Sequence, residues 1–276
     1  MAQASEEAAR IRRESEYHDR DADNFDPASA LVDESFTAVT AIANQHFLRQ
    51  YGDVRGKRVL DYGCGAAEGG IYLAKLGARV VGMDVSRGQL DNAEKLAAFH
   101  GVKIETRLVT DTRIPADDRE FDFIYGNGVL HHVPLDSAVP ELARVLAPTG
   151  KGCFMEPLPY NPLIEVYRKL ATQVRTEDER PLSWDQIASL GRNFDVVEHR
   201  EVWFSTLAVF LKFFLIDRVH PNDERYWKKI ITDAESVRWL FSPLQALDDR
   251  LLKLVPPLRK LCWLTLITLA GPKHAN

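Results

Sequence analysis

The sequence predicts an α/β fold in which a sheet carries helices on both faces. From Arg58 onward, short apolar segments typical of strands alternate with segments of helical periodicity. The first strand, over 58–60, runs into Asp61-Tyr62-Gly63-Cys64-Gly65, where glycines permit a tight turn and a close approach of the backbone to a ligand. The order of strand, glycine turn and helix indicates a nucleoside-cofactor site at the carboxyl end of this strand.

The next strand indicates which cofactor is bound. It covers residues 79–83 and is followed by Asp84, which is positioned to accept hydrogen bonds from two ribose hydroxyls. A dinucleotide site requires G-x-G-x-x-G, but Glu68 occupies the third glycine position here. A carboxylate at the start of a helix would repel a pyrophosphate, whereas Asp61 suits a ligand with an ammonium and a sulfonium. The spacing therefore favours S-adenosylmethionine (SAM).

Three further strands are predicted to end in polar residues. The third, over 103–109, ends in Thr110-Asp111-Thr112, and the fourth, over 121–125, opens into G-N-G-V-L-H-H-V over 126–133. A helical pattern over 137–146 precedes the fifth strand, over 151–155, which ends at Glu156. Open α/β sheets bind ligands at the carboxyl ends of their strands, so these residues are expected to lie near the glycine turn.

These motifs resemble those of the class I SAM-dependent methyltransferases, in particular the bacterial enzymes of small-molecule and natural-product biosynthesis. The family's first motif is D-x-G-x-G and its second strand ends in a ribose-binding acid; Ala67 departs from the third glycine that many members carry. The resemblance implies a Rossmann-like seven-stranded sheet and a single methyltransferase domain over 1–276. It also implies the residues that bind the cofactor: Tyr17, Asp61, Gly63, Gly65, Asp84, Asp111, Thr112 and Asn127.

The resemblance divides these roles among the parts of the cofactor. Asp111 would form a hydrogen bond with the adenine amino group. The next backbone amide, that of Thr112, would reach the adenine ring. Gly126 and Asn127 would lie beside the methionine moiety. The product of the reaction would be S-adenosylhomocysteine.

Residues 1–52 are predicted to form an N-terminal helical lid, with helical patterning over 30–51. In the family, a segment at this place commonly folds over the cofactor, and a tyrosine-containing motif there often touches the SAM carboxylate. Tyr17 is therefore a candidate cofactor contact and His18 a candidate substrate contact. The alternative is that both lie on a solvent-exposed helix surface.

The SAM-binding core is expected over 53–203 and 258–276, with a sixth strand over 195–204 and a seventh over 261–269. Family members join these strands by a short turn, but here an insertion over 204–257 separates them. The insertion and its edge are rich in aromatic side chains: Trp203, Phe204, Phe210, Phe213, Phe214, Trp227, Trp239 and Phe241. This composition indicates a cap over the acceptor or, alternatively, packing of the insertion onto the core or onto a second subunit.

The segment after the fifth strand is predicted to be a stiff loop over the site, because it contains Pro157, Pro159 and Pro162. Tyr160 and Asn161 in this loop are candidate substrate-binding residues. Further along, Arg175 and Arg180 could bind an acidic acceptor, although solvation or ion pairing is the alternative for both. The segment is similar to one in a subgroup of bacterial methyltransferases whose acceptors are mostly unassigned.

The candidate catalytic residues are His131, His132 and Glu156. Methyl transfer is an in-line displacement that requires the acceptor about 3 Å from the methyl group, and a hydroxyl acceptor must also lose its proton. Imidazole titrates in the range that a general base needs, and Glu156 could orient one ring and stabilise its protonated form. This arrangement resembles natural-product O-methyltransferases acting on sugars and polyketides. We therefore predict O-methylation with one of the two histidines as the base.

The composition of the chain indicates which classes of substrate and partner it is expected to bind. The formal charge of -5 and the pI near 5.9, without a basic run that contains interleaved aromatics, disfavour a nucleic-acid substrate. A small, largely apolar or aromatic acceptor is expected. Three cysteines without ligand spacing predict no metal site, and the polar N-terminus predicts a cytoplasmic protein. No apolar run has the length of a membrane span, and a homodimer remains an alternative to a monomer.

Other activities stay open at this point. Carbon or nitrogen methylation, for example of an indole-type ring, would use the same cofactor site. An NAD-dependent oxidoreductase is a more remote alternative that the missing third glycine argues against. A non-catalytic partner protein with the SAM-binding fold is expected to have lost motif residues, which are intact here.

Overall fold

The computed structural model describes residues 2–171 and 180–274, which form a mixed seven-stranded sheet covered by helices. The strands are β1 (Arg58–Tyr62), β2 (Arg79–Asp84), β3 (Glu105–Leu108), β4 (Phe121–Asn127), β5 (Leu146–Pro157), β6 (Phe194–Val202) and β7 (Leu264–Pro272). Their order in the sheet is β3-β2-β1-β4-β5-β7-β6.

The α-helices of the described residues lie before and between these strands. They are α1 (Ala2–Asp21), α2 (Glu34–Thr37), α3 (Ile42–Tyr51), α4 (Glu68–Lys75), α5 (Arg87–Phe99), α6 (Leu135–Val145), α7 (Pro162–Leu170), α8 (Trp184–Ser189), α9 (Ala208–Leu211), α10 (Tyr226–Thr232) and α11 (Ala234–Leu254). Within this part of the chain, no helix is both long enough and apolar enough to cross a lipid bilayer.

The sheet order confirms the predicted Rossmann-like fold. Strands β1 to β5 pair in parallel, and β7 lies antiparallel between β5 and β6. The chain runs outward from β1 to β3 on one side and continues from β4 to β5 on the other. The direction of winding therefore changes between β1 and β4, and ligands of open α/β sheets bind at such a point.

Several elements differ from their predicted bounds. Strands β1, β2 and β4 extend further at their carboxyl ends, because ladder pairs such as Tyr62↔Met83 and Asn127↔Met155 continue beyond the apolar runs. The helical pattern over 30–51 is divided into α2 and α3. Strand β7 begins at Leu264 because a 3-10 helix, Pro256–Leu261, precedes it, and proline fixes the backbone at the start of that turn.

Aromatic side chains pack the insertion onto the core. Trp203, Phe210, Phe213, Tyr226 and Phe241 are buried in one cluster that also contains side chains of the sheet. Rings in this cluster contact each other, for example Trp203 and Phe241 with centroids 5.1 Å apart. The packing interpretation of the aromatic pattern thus holds for these residues.

One buried carboxylate ties the two ends of the insertion together. Asp248 of α11 is 1% exposed and accepts hydrogen bonds from the backbone N–H groups of Phe204, Ser205 and Thr206. Its oxygens also accept from the hydroxyls of Ser205 and Thr206, at 2.5 and 3.0 Å. This side chain therefore holds α11 against the start of the insertion.

Asp248→Ala is expected to lower the free energy of unfolding by about 3 kcal/mol, because several buried donors would lose their acceptor. Urea denaturation of the purified variant measures this. Asp249→Ala is the matched control, since its half-exposed contact with Arg200 is expected to contribute below about 1 kcal/mol. Equal denaturation midpoints for the two variants would contradict the anchoring role of Asp248.

Candidate active site

A cavity of about 660 Å³ lies at the carboxyl ends of the parallel strands. Side chains from α1 and α10 also line it. Its lining contains most of the predicted site residues, namely Tyr17, His18, Asp61, Gly63, Gly65, Asp84, Asp111, Thr112, Asn127, His131 and His132. The tertiary structure therefore brings together residues that are distributed over five segments of the sequence.

The glycine turn after β1 has little room for side chains. Gly63 and Gly65 have φ values of 66° and 51°, and a Cβ on Gly63 would lie 2.4 Å from Cγ2 of Val129. Ala67 also has a left-handed conformation, with φ of 57°. That conformation favours glycine and costs an alanine about 1 kcal/mol, which explains why glycine suits this position. The departure from the family motif leaves the left-handed turn in place.

Asp84, the last residue of β2, is fixed by the turn that it faces. Its Oδ2 accepts from the N–H of Gly65 at 2.8 Å, and its Oδ1 accepts from the N–H of Ser86 at 2.9 Å. Burial raises the pKa of Asp84, and these backbone hydrogen bonds oppose that shift. Each carboxylate oxygen has a second lone pair, so the side chain can accept further hydrogen bonds from a ligand in the cavity.

Asp61 lies in β1 beside the same turn. Its Oδ2 accepts from the N–H of Gly70, near the start of α4, at 2.8 Å. Burial raises the pKa of Asp61 to about 8, the Gly70 hydrogen bond opposes this, and the nearby charge of Asp84 adds to it. A cationic group bound next to Asp61 would favour its ionised form.

Because a ligand ammonium beside Asp61 would stabilise the ionised carboxylate, binding of S-adenosylhomocysteine is expected to tighten as pH rises from about 6 to about 8, by at most about tenfold per pH unit. Below the pKa, binding must first remove the proton of Asp61, and above it no proton is released. Calorimetric titration in buffers of different ionisation enthalpy measures both effects. Asp61→Asn should bind more weakly and lose the pH dependence in this range; an unchanged pH dependence in that variant would assign it to another group.

Asp111 and Thr112 form the part of the lining that follows β3. Asp111 is exposed, and its Oδ1 accepts from the N–H of Arg113 at 2.7 Å. Asn127, at the end of β4, is also exposed and lines the cavity. Tyr17 of α1 also lines the cavity. These positions agree with the cofactor contacts that the family resemblance implies, and the contacts themselves stay predictions.

The histidine pair lies just after β4 and is supported by β5. Glu156 is fully buried and accepts from the backbone N–H groups of Val129 and Leu130, at 3.0 and 2.7 Å. Its Oε2 lies 2.6 Å from Nδ1 of His131. In a neutral His131 that donates from Nδ1, the lone pair is on Nε2. Glu156 thus holds both the loop and the ring of His131.

The second histidine has a different partner. The ring centroids of His131 and His132 are 4.1 Å apart, and Nδ1 of His132 lies 3.3 Å from Oε2 of Glu14. Glu14 belongs to α1 and was not among the predicted site residues. The available signal in the sequence was its place four residues before His18 on the same helix, which does not by itself indicate a site.

Two predicted substrate contacts have other hydrogen-bond partners in the structure. Tyr160 and Asn161 are not among the described residues that line the cavity. The hydroxyl of Tyr160 accepts from the N–H of Trp184 at 3.0 Å, and Oδ1 of Asn161 caps α7 by accepting from the N–H of Leu163 at 2.9 Å. Both side chains hold the loop to its neighbours, because a proline-rich exit without regular structure needs such acceptors.

Of the two arginines considered for an acidic acceptor, Arg180 is not among the described residues that line the cavity. Arg175 lies outside the described residues. Arg180 is exposed, and its backbone N–H donates to the carbonyl of His131 at 3.1 Å. The observed contribution of Arg180 is therefore a backbone hydrogen bond to the histidine loop.

Part of the cavity lining forms an apolar wall that the sequence did not predict in detail. Trp203, Ile230 and Ile231 come from the insertion and its edge, Tyr167 from α7, and Trp263 from the residue before β7. Part of the insertion therefore lines the cavity, while other aromatics of the insertion pack onto the core. The wall suits an apolar or aromatic ligand.

Comparisons with known proteins agree with this geometry. Residues 59–150 match the family described as "Methyltransferase domain". The ubiquinone biosynthesis O-methyltransferase of Nitrosococcus oceani is 34% identical over 113 residues, which are 39% of this chain and 47% of that protein. The fatty-acid O-methyltransferase of Mycolicibacterium smegmatis is 26% identical over 186 residues, 66% of this chain and 62% of that protein. The chain thus spans about half to three fifths of the length of these curated relatives.

A solved structure shows the same fold. The geranyl diphosphate C-methyltransferase from Streptomyces coelicolor A3(2) has a TM-score of 0.54 and 15% identity, over 84% of this chain and 79% of that chain. Its crystals contain S-adenosyl-L-homocysteine. At this level of identity the likeness concerns the fold alone.

The fold and the cavity define an α/β domain for an adenosyl cofactor. The residues present fit SAM, because Gly63 and Gly65 line the cavity without a Cβ and Asp84 has lone pairs available in the same cavity. The match over residues 59–150 confirms the predicted resemblance to the class I SAM-dependent methyltransferases for this part of the chain.

Proposed function

We propose that this protein transfers the methyl group of SAM to a hydroxyl oxygen of a small, largely apolar or aromatic acceptor. The observation that carries the proposal is the 2.6 Å contact between Glu156 and His131 at the edge of the cofactor cavity. A buried carboxylate bound to an imidazole is an arrangement that favours proton transfer to the ring.

The cofactor would be held along the strand ends. Asp84 would accept from the ribose hydroxyls, Asp111 and Thr112 would contact the adenine, and Asp61 and Asn127 would lie beside the methionine moiety. When bound there, SAM supplies an electrophilic methyl group on a sulfonium. The charges of Asp61 and Asp84 are of the sign that stabilises a cationic ligand.

The acceptor would lie between the histidine pair and the apolar wall. His131 would accept the hydroxyl proton of the acceptor on Nε2, and the adjacent Glu156 carboxylate would stabilise the resulting imidazolium. Tyr167, Trp203 and Trp263 would position the apolar part of the acceptor by exclusion of water. The names of two relatives, which refer to O-methylation in ubiquinone biosynthesis and of fatty acids, support an oxygen acceptor on an apolar molecule.

The proposal is tested by incubation of the purified protein with methyl-labelled SAM and a panel of phenols, polyketide alcohols, sugar hydroxyls, fatty acids and indoles, with mass spectrometry of the products. A labelled methyl ether from the phenol or alcohol group supports it. Products methylated on carbon or nitrogen would replace the oxygen assignment by one of the alternatives. Calorimetric binding of NADH in preference to S-adenosylhomocysteine would overturn the cofactor assignment.

A further inference from the structure

The N-terminal helix brings a second carboxylate to the histidine pair. Glu14 is 6% exposed, and its Oε2 lies 3.3 Å from Nδ1 of His132 and 3.5 Å from Nε2 of His18. These are ion-pair distances, but neither contact has hydrogen-bond geometry, so this buried oxygen has no hydrogen bond in the described structure. Burial of such an oxygen is costly unless neighbouring groups compensate for it.

The two histidines provide this compensation. Burial alone would raise the pKa of Glu14, but its contacts with His132 and His18 outweigh burial and hold the pKa well below its usual range. The pKa of His18 is raised correspondingly: burial lowers it, but the contact with Glu14 and the charge of Asp84 outweigh burial. Glu14 therefore interacts with the imidazoles as a carboxylate.

The position of Glu14 depends on how α1 docks. Oδ1 of Asp19 accepts from the hydroxyl of Ser86 at 2.5 Å and from the N–H of Gly88 at 3.1 Å, at the start of α5. At the carboxyl end of α1, Asp21 pairs with Arg225 beside α10 at 2.6 Å. These contacts fix the helix against both the core and the insertion, and so place Glu14 at the cavity.

We propose that Glu14 is a positioning residue for His132, so that docking of α1 completes the acceptor side of the active site. This inference rests on the proposed function. Each histidine of the pair then has its own carboxylate: Glu156 of β5 is hydrogen-bonded to His131, and Glu14 of α1 lies at ion-pair distance from Nδ1 of His132. Removal of Glu14 takes away the carboxylate beside Nδ1 of His132, and this is expected to change the orientation of a polar group that lines the cavity.

The test compares Glu14→Gln with Glu16→Gln, an exposed residue of the same helix that pairs with Arg12. Glu14→Gln is expected to lower kcat by about tenfold or more while the dissociation constant of S-adenosylhomocysteine stays within about threefold. The ring ¹⁵N signals of His132 should show a changed tautomer distribution, and Glu14→Asp should restore part of the rate. Glu16→Gln should behave as the wild type.

A double-mutant cycle separates positioning from a general structural effect. In a His132→Gln background, Glu14→Gln should have no further effect on kcat, because the group that it positions is absent. Independent, multiplicative losses would overturn the inference. If the wild type methylates none of the acceptors, the proposed function fails, but the NMR comparison still decides this inference: His132 signals that are the same in Glu14→Gln and the wild type would overturn it.

Discussion

Asp84→Ala is expected to weaken the binding of S-adenosylhomocysteine by about a hundredfold or more, because the two charge-assisted hydrogen bonds that we propose to the ribose would be lost. Isothermal titration calorimetry measures the change directly. The structure adds a second contribution to this loss. Asp84 also accepts from the N–H of Gly65, so its removal leaves the glycine turn without the acceptor that holds it in place.

Two further variants serve as comparisons for Asp84→Ala. Asp84→Asn keeps one carbonyl oxygen and is expected to lose less affinity than Asp84→Ala. Asp91→Asn changes an exposed residue of α5 that does not line the cavity, and it should bind as the wild type does. Urea denaturation of all three shows whether the fold persists. Wild-type affinity in a folded Asp84→Ala protein would rule out the ribose assignment.

His131→Gln is expected to lower kcat for a hydroxyl acceptor by about a thousandfold, because glutamine cannot take the acceptor proton. Binding of S-adenosylhomocysteine should change by less than about threefold, since the loss concerns the proton transfer and not the cofactor. Glu156→Gln should also lower kcat, by about a hundredfold, because the amide cannot stabilise an imidazolium as a carboxylate does. Steady-state rates over a range of pH measure both variants.

A second histidine–carboxylate contact in the protein provides a matched control for the His131 and Glu156 variants. His199 of β6 contacts Glu201 through Nδ1 in the same way, but neither residue lines the cavity. His199→Gln should therefore retain the wild-type rate within about twofold. A His131→Gln variant that is equally active would show that the ring is not the base. Such a result would favour an acceptor that is already ionised, for which positioning alone is sufficient.

Motif residues within one continuous segment were predicted well from the sequence. Gly63, Gly65 and Asp84 belong to a strand-turn-helix-strand unit whose geometry depends on local backbone conformation and on the pairing of adjacent strands. The values of φ at the two glycines are the ones that such a turn requires. The position of Glu156 beside the histidines was also predictable, because β4 and β5 are neighbours whose carboxyl ends meet at one edge.

Residues outside regular strand ends were predicted less well. Tyr160 and Asn161 follow β5, yet their polar groups hydrogen-bond to Trp184 and α7 and not to the cavity. Glu14 was missed because a helix that docks across the sheet places its residues by side-chain contacts with distant segments. Such contacts join Asp19 to Ser86 and Asp21 to Arg225, and no local sequence pattern predicts them.

The sequence by itself determined the α/β fold, the adenosyl cofactor and the order of the strands' polar ends, because those features depend on periodicity, on glycine and on short-range spacing. Only the tertiary structure decided where α1 and the insertion lie. Their positions depend on a buried aromatic cluster, on the hydrogen bonds of Asp248 and on ion pairs between segments far apart in the chain. These are long-range contacts whose partners are specified only when the whole core has assembled.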